Sequence, residues 1–268
     1  MPVISAIQMA SQPFEVEQNL EQAADLLGDA VRRQASLVLF PEVFNTGYIY
    51  DRQLADFAEE LDGPTVNWMR QRSALNGCYI GGGIVERDGD DIYSTFVLAD
   101  PAGQIDYYRK RHLPLIEKFF FKTGDEVGIF ETRLCRIGVL MCWEMVFQRN
   151  VRELLGQVDM LLIPSAWPDM TTGNIPILGL QSWMTRQVHQ RPGEIASTLN
   201  VPVVYSNLTG NFDTPVPFLP PLRYKSQFTG YSGIHASDGM LIRRLPWGSA
   251  SVMVDLPLPN VVRREHSA

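Results

Sequence analysis

The chain has 268 residues, 45% hydrophobic and 20% charged, which is ordinary for a globular protein and ample for a large core. Its net charge of −7 argues against nucleic acid or an anionic membrane surface as the main partner. No apolar run is long enough to span a bilayer, and Met1–Leu20 lacks a basic stretch followed by an apolar one, so a cytoplasmic location is expected. Three cysteines, Cys78, Cys135 and Cys142, fit reduced thiols better than a disulfide framework.

Val3–Met9 reads as a buried first strand. Leu20, Ala23, Ala24, Leu27 and Val31 then fall at helical spacing, with acids before the helix and Arg32–Arg33 at its end. Ser36–Phe40 is a second buried strand running into Pro41-Glu42 and an aromatic loop. A helix is predicted over residues 64–76, with Val66, Met69 and Leu75 on its apolar side. Cys78–Val85 is a strand whose three consecutive glycines have no phosphate-loop context and read as close backbone packing. Hairpin strands follow at Ile92–Leu98 and Ile105–Arg109, the second ending at Lys110. Glu117 is next, trailed by Phe119-Phe120-Phe121, an apolar wall for whatever Glu117 faces.

Ile137–Met141 has the length and composition of a buried strand, with Cys142 where it should end and a helical pattern beyond. A further strand, Val158–Ile163, ends in Pro164-Ser165-Ala166-Trp167. Residues 169–193 read as an irregular lid or a short helix (Leu180–His189) flanked by loops, and Glu194–Leu199 continues a helical piece. Val201–Asn207 is a strand. Asn211–Tyr224 carries Pro215, Pro217, Pro220 and Pro221, and regular structure is not expected there. Short strands close the chain at Gly233–Ala236, Met240–Arg244 and Ser251–Val254, before an extended tail from about residue 256. Strand–helix alternation with interspersed hairpins predicts one α/β domain over residues 1–268, with helices packed on mixed sheets.

Glu42, Lys110, Glu117 and Cys142 thus stand at or just beyond strand ends, where ligands bind in open α/β sheets. A lone thiol is as readily a small core residue as a nucleophile. With a carboxylate and an ammonium near it, though, the set is chemically complete. The thiol needs a base, which Glu42 could supply, and a cation that lowers its pKa and holds an oxyanion, which Lys110 could supply. His112, near Lys110, keeps a Cys–His pairing open. No cluster has metal-ligand spacing, so no metal is expected. Cys78 and Cys135 sit in strand contexts and read as core.

Three short motifs in order resemble the nitrilase superfamily of carbon–nitrogen hydrolases: Phe40-Pro41-Glu42, Tyr108-Arg109-Lys110-Arg111-His112-Leu113, and Gly138-Val139-Leu140-Met141-Cys142-Trp143-Glu144. Glu117–Asp125 is similar to the segment carrying the family's second glutamate. The resemblance implies a four-layer α-β-β-α sandwich, commonly paired into a homodimer or larger homo-oligomer. It also implies a cofactor-free Glu42–Lys110–Cys142 triad. In that scheme Cys142 attacks, Glu42 moves the proton, and Lys110 and the backbone N–H of Trp143 hold the oxyanion. Glu117 orients Lys110, and a thioester forms and is hydrolysed. After the nucleophile many members continue Phe-Pro-Glu, where this chain has Phe147-Gln148-Arg149.

The substrate expected is a small linear amide or N-carbamoyl compound, with a nitrile as the alternative and a non-catalytic binding or assembly role as a further one. A substrate carboxylate would want a fixed arginine, for which Arg149, Arg186 and Arg191 are candidates. Tyr48, Trp143, Phe119 and Trp167 are the expected substrate-contacting aromatics, a set that favours small or apolar amides.

Overall fold

A computed structural model describes residues 1–176, 179 and 181–258, apart from the Pro220 side chain. In chain order the elements are β1 (Val3–Gln8), α1 (Val16–Arg32), β2 (Ala35–Leu39), α2 (Pro64–Asn76), β3 (Tyr79–Asp88), β4 (Asp91–Ala99), β5 (Ile105–Arg109), β6 (Ile129–Glu131), β7 (Arg136–Val139), α3 (Gln148–Glu153), β8 (Met160–Ser165), β9 (Pro168–Asp169), α4 (Gln181–Leu199), β10 (Val203–Asn207), β11 (Asn211–Val216), β12 (Leu219–Phe228), β13 (Gly233–His235), β14 (Leu241–Arg244) and β15 (Ala250–Asp255).

Two six-stranded mixed sheets carry the molecule, ordered β15-β1-β2-β3-β4-β5 and β14-β13-β10-β8-β7-β6. The alternation of side chains along each strand dictates how they stack. Ile4, Ala6, Leu37 and Leu39 of the first sheet meet Ile137, Val139, Met160 and Leu162 of the second in one core layer. The opposite parity of the first sheet, Ile7, Val38 and Ile80, packs under Ala23 and Leu27 of α1 and Val66 and Met69 of α2. On the second sheet Leu161, Ile163, Val203 and Tyr205 pack under Val151 of α3 and Val188, Ile195 and Leu199 of α4. The result is the four-layer α-β-β-α sandwich that the motifs implied.

The glycine run of β3 packs as its lack of a phosphate motif suggested. A Cβ on Gly81 would meet the Phe96 ring at 2.8 Å, and one on Gly82 the Phe44 ring at 2.9 Å. Leu75 departs from expectation, lying exposed on α2, whose buried side is Thr65, Val66, Met69 and Ser73.

Three larger expectations are corrected. Beyond Cys142 the chain forms a 3₁₀ turn, Cys142–Val146, before the short α3. Residues 181–199 form one continuous helix with Pro192 inside it, where a lid or a short helix flanked by loops was expected before Glu194. An internal proline costs roughly 3 kcal/mol. The buried stripe of Val188, Ile195, Ala196 and Leu199 against the second sheet outweighs that. Leu180, where the short helix was expected to start, lies outside the described residues, as does the tail beyond 258.

The third correction concerns the proline-rich stretch, which is a hairpin. β11 and β12 pair antiparallel from Asn211↔Gln227 to Val216↔Leu219, with a register shift at Pro215/Val216. Pro217 and Phe218 make its turn, Phe218 at φ 68°. The other side of β12 bonds β9 only through Gln227 and Phe228, so the prolines sit at a bulge, in a turn or along a free edge.

Candidate active site

Lys110 follows β5, and its own N–H donates to Ser94 O of β4 at 2.9 Å, so the side chain leaves the sheet at a fixed point. Its Nζ donates to Glu42 Oε1 and to Glu117 Oε2, each at 2.8 Å. None of the three side chains is more than 1% exposed. Ser94 Oγ donates to the same Glu42 oxygen at 2.9 Å. The second oxygen, Glu42 Oε2, is buried with no protein partner among the described residues.

Glu42 itself comes from the loop after β2, where Val43 has φ 47°. Cys142, at the foot of the 3₁₀ turn after β7, has φ 46° and is buried. A β-branched residue and a cysteine in the left-handed region are both uncommon, and such strain concentrates at functional sites.

The electrostatics of the set come from burial set against pairing. Burial alone would push Lys110 down, but the carboxylates of Glu117 and Glu42 outweigh it and hold the ammonium well above its usual range. Burial raises Glu117 above the ordinary carboxylate range. The Lys110 charge and hydrogen bonds from Lys110 and Tyr48 pull the other way. Burial, followed by the negative charge of Glu42, drives the Cys142 thiol well up, although Lys110 and the backbone N–H of Ala166 oppose them. Lys110 does act on the thiol in the expected, lowering direction, but burial and Glu42 outweigh it. This balance favours the thiol over the thiolate, so a nucleophilic role for Cys142 calls for a base inside the site. Cys78 and Cys135 are core thiols, as expected, pushed up by burial to about 11 and about 12.

Tyr48 donates to Glu117 Oε1 at 2.5 Å, and its oxygen lies 2.8 Å from that of Tyr50. Since Tyr48 spends its hydrogen on Glu117, Tyr50 is the donor to Tyr48. Trp143 stacks on Trp167 at 5.6 Å, and Trp183 of α4 packs edge-on against Trp143 at 5.8 Å. Asn207, at the end of β10, fixes Trp167 by accepting its backbone N–H at 2.7 Å. Phe119 does not face inward as part of a wall around Glu117. It is 60% exposed and meets Phe218 edge-on at 4.9 Å. There it rims a 470 Å³ cavity shared with Tyr50, Phe120, Pro215 and Val216. A larger cavity of 620 Å³, lined by Arg70, Glu86, Arg109 and neighbours, contains none of the candidate catalytic residues.

Arg149 and Arg186 are exposed. Arg191 is engaged with Met145 O, Gln148 and Glu194. His112 stands beside Phe147 and 3.8 Å from Glu144. Sequence reasoning did not single out Ser94, Tyr50 or Glu144, which complete the hydrogen bonding around these groups. Ser94 could have been found by parity, being two residues before the buried Phe96 at the lysine end of the hairpin.

A four-layer sandwich with these groups at its strand ends has the architecture of the nitrilase fold. The sequence pattern of the carbon–nitrogen hydrolase family matches residues 3–263, and the chain belongs to that family. It is 33% identical over 170 residues to a nitrilase from Pyrococcus abyssi, a match covering 62% of this chain and 65% of that protein. An omega-amidase from Xenopus tropicalis is 31% identical over 183 residues, 63% of this chain and 65% of that protein. The matches thus span just under two thirds of these relatives' lengths. An amidase of the nitrilase superfamily from Nesterenkonia AN1 has a TM-score of 0.77 at 21% identity, with 96% of this chain and 92% of that one covered, a likeness of fold. No described helix is long and apolar enough to cross a membrane.

Proposed function

We propose that the protein hydrolyses the C–N bond of a small uncharged amide, with Cys142 as nucleophile, Glu42 as general base and acid, and Lys110 as the cation at the oxyanion. The observation that carries this reading is the fully buried Lys110 shared by two carboxylates, 2.8 Å from each. Burying three ionisable groups is expensive, and a stable core would be served as well by apolar side chains.

The steps balance within the site. Glu42 Oε2, without a protein partner among the described residues, takes the thiol proton as sulfur bonds to the amide carbon. That transfer leaves the charge of the site unchanged, whereas losing the proton to solvent would add a buried negative charge. The carbonyl oxygen becomes an oxyanion held by Lys110 Nζ and the Trp143 N–H. Glu42 returns its proton to the nitrogen, the C–N bond breaks, and ammonia leaves a thioester. Glu42 then deprotonates a water that attacks the thioester, which releases the acid and restores the thiol. Glu117, fixed by Tyr48, holds Lys110 in line.

An uncharged substrate fits the surroundings. Trp143, Trp167, Tyr48 and Tyr50 are aromatic, and the three arginines that could pair a carboxylate are exposed or engaged. A nitrile is the second reading, favoured by the Cys142-Trp143-Glu144 sequence and by the Pyrococcus abyssi relative named a nitrilase. Intact mass after brief exposure to short amides, N-carbamoyl compounds and nitriles, with ammonia assayed in parallel, tests both. An acyl adduct on Cys142 with ammonia release is expected from neutral amides. No adduct, no ammonia and a thiol inert to alkylation would reduce Cys142 to a core residue.

A further inference from the structure

Glu144 is a fourth buried carboxylate beside the site, with no exposed surface, and the scheme above does not use it. Its Oε1 accepts three hydrogen bonds: from the Arg111 N–H at 2.9 Å, the His112 N–H at 3.1 Å and the Tyr108 hydroxyl at 2.8 Å. Its Oε2 accepts one, from the Met141 N–H at 2.9 Å. Arg111 and His112 come directly after Lys110. Met141 comes directly before Cys142. One carboxylate therefore joins the turn that presents the ammonium to the turn that presents the thiol. The same seam is crossed by Arg111 on Glu153 at 2.5 Å and by the His112 ring on Phe147 at 5.6 Å. Asn150 Nδ2 donates to Glu144 O at 3.0 Å and locks the 3₁₀ turn from outside.

We propose that Glu144 is a positioning residue that sets the separation of Lys110 Nζ from Cys142 Sγ. The inference rests on the reading of those two as the reacting pair. Chemistry explains why a carboxylate stands here. All four groups that hydrogen-bond to it are donors, and only a carboxylate offers two oxygens and no hydrogen. Glutamine has one oxygen. Placed at the Oε1 position, it keeps the lysine turn but sets an NH₂ against the Met141 N–H, donor against donor. Turned over, it abandons three donors at once. Either way one turn is released relative to the other.

The test compares Glu144→Gln, Glu144→Asp and Tyr108→Phe with wild type. It measures kcat and KM on the best amide, melting temperature, and the pH dependence of Cys142 alkylation by iodoacetamide. Misplacing reacting groups by about 1 Å costs on the order of 10²-fold in rate, so Glu144→Gln should lower kcat about 10- to 100-fold with KM little changed. Glu144→Asp, which keeps both oxygens at the wrong reach, should fall between.

The alkylation profile separates positioning from charge. Removing a nearby negative charge alone would let the thiol ionise at lower pH. Moving Lys110 away from the thiol weakens the one cation that favours the thiolate, so ionisation should move to higher pH. A profile that moves up supports the proposal. A profile that moves down or stays, or a kcat within about twofold of wild type in folded Glu144→Gln, overturns it. If Glu144→Gln does not fold, Glu144→Asp and Tyr108→Phe decide, and unchanged kcat in both overturns it. The alkylation arm needs no substrate. A wild type that turns over no amide or nitrile would sink the proposed function while this inference is still read on the thiol.

Discussion

Tyr48 donates its phenolic hydrogen to Glu117 Oε1 while Lys110 Nζ donates to Glu117 Oε2, so the two oxygens of one buried carboxylate are held by separate partners. The Lys110 ammonium cannot swing toward Glu117 without breaking its bond to Glu42. Replacing Tyr48 by Phe removes one of these restraints and leaves a buried oxygen unsatisfied. Such a loss costs about 1–3 kcal/mol. The Tyr48→Phe variant should melt lower and turn over more slowly. A thermal scan with steady-state kinetics checks both. Unaltered values would mean that Tyr50, freed of its partner, had replaced the bond.

Lys110 is the common partner of Glu42 and Glu117, so Lys110→Met leaves two buried carboxylates without their cation. Deleting one member of a buried ion set costs about 3–5 kcal/mol. The loss should depend on pH. Glu117 already lies above the ordinary carboxylate range through burial, and Lys110 opposes that rise. Without Lys110 its folded-state pKa rises further above the unfolded value. A raised folded pKa gives stability that is present at low pH and lost as pH climbs through it. Lys110→Met should therefore stand closest to wild type near pH 5 and fall away toward pH 8. Urea titrations at the two pH values check this, and a deficit that grows on acidification would refute the argument.

The high-lying thiol has its own consequence. Burial and the Glu42 carboxylate disfavour the Cys142 thiolate more than Lys110 favours it. Alkylation of the free enzyme by a small neutral reagent should keep accelerating above pH 9. A thiolate stabilised by a paired imidazolium would instead reach its plateau below neutrality. The same shift makes a stability statement. The folded pKa exceeds the unfolded one, so the contribution is intact below about pH 8.5 and is lost as the thiol ionises at higher pH. Glu42→Gln keeps an oxygen for Lys110 and Ser94 but offers no base, and general acid–base groups contribute about 10²–10⁴-fold. It should fold and lose activity by about that factor, read as slowed adduct formation in intact-mass spectra.

Helices on mixed sheets were legible because buried strands announce themselves as apolar runs, and Glu42, Lys110 and Cys142 stand where such runs stop; the four-layer stacking and the partnership of Glu117 with Lys110 came from the family resemblance. Less legible was anything decided by tertiary contact. Pro220 and Pro221 read as breakers because a proline spoils a central strand, and nothing local reveals that β12 bonds β9 only through Gln227 and Phe228. Pro192 divides a helical pattern on paper, but the layer beneath α4 holds the helix together. Phe119 reads like its neighbour Phe121, although the short turn at Glu117–Phe119 leaves Phe119 outside and only Phe121 buried. The direction of the thiol shift depends on burial and three charges at once, which no motif spells out. The convergence of four donors on Glu144 is a property of two loops far apart in sequence.

Gly83 shows how tightly the site is packed against its scaffold. It lies in β3, and a Cβ there would stand 2.7 Å from Glu42 Cα, 3.1 Å from Val43 N and 3.2 Å from Met141 Cε. Backbone cannot give way as a side-chain tip can, and Gly83 is tied to this loop by two hydrogen bonds, its N–H to Pro41 O at 3.0 Å and its O from Phe44 N–H at 3.2 Å. Gly83→Ala must therefore push the Glu42 loop away from the sheet, which draws the base from Lys110 and from the thiol. Overpacking of this kind costs about 1–3 kcal/mol. Activity should suffer more than stability, because a proton acceptor must stay within hydrogen-bond reach of the thiol while the fold needs only that the loop be accommodated. Gly77→Ala is a useful contrast. That glycine caps α2 at φ 64° with nothing near its Cβ position, so its replacement should lower the melting temperature through backbone strain and leave kcat alone. Thermal melts and kcat for the two variants side by side check the distinction. Equal losses of activity per degree of melting temperature would show that the Gly83 contact serves the fold and not the position of Glu42.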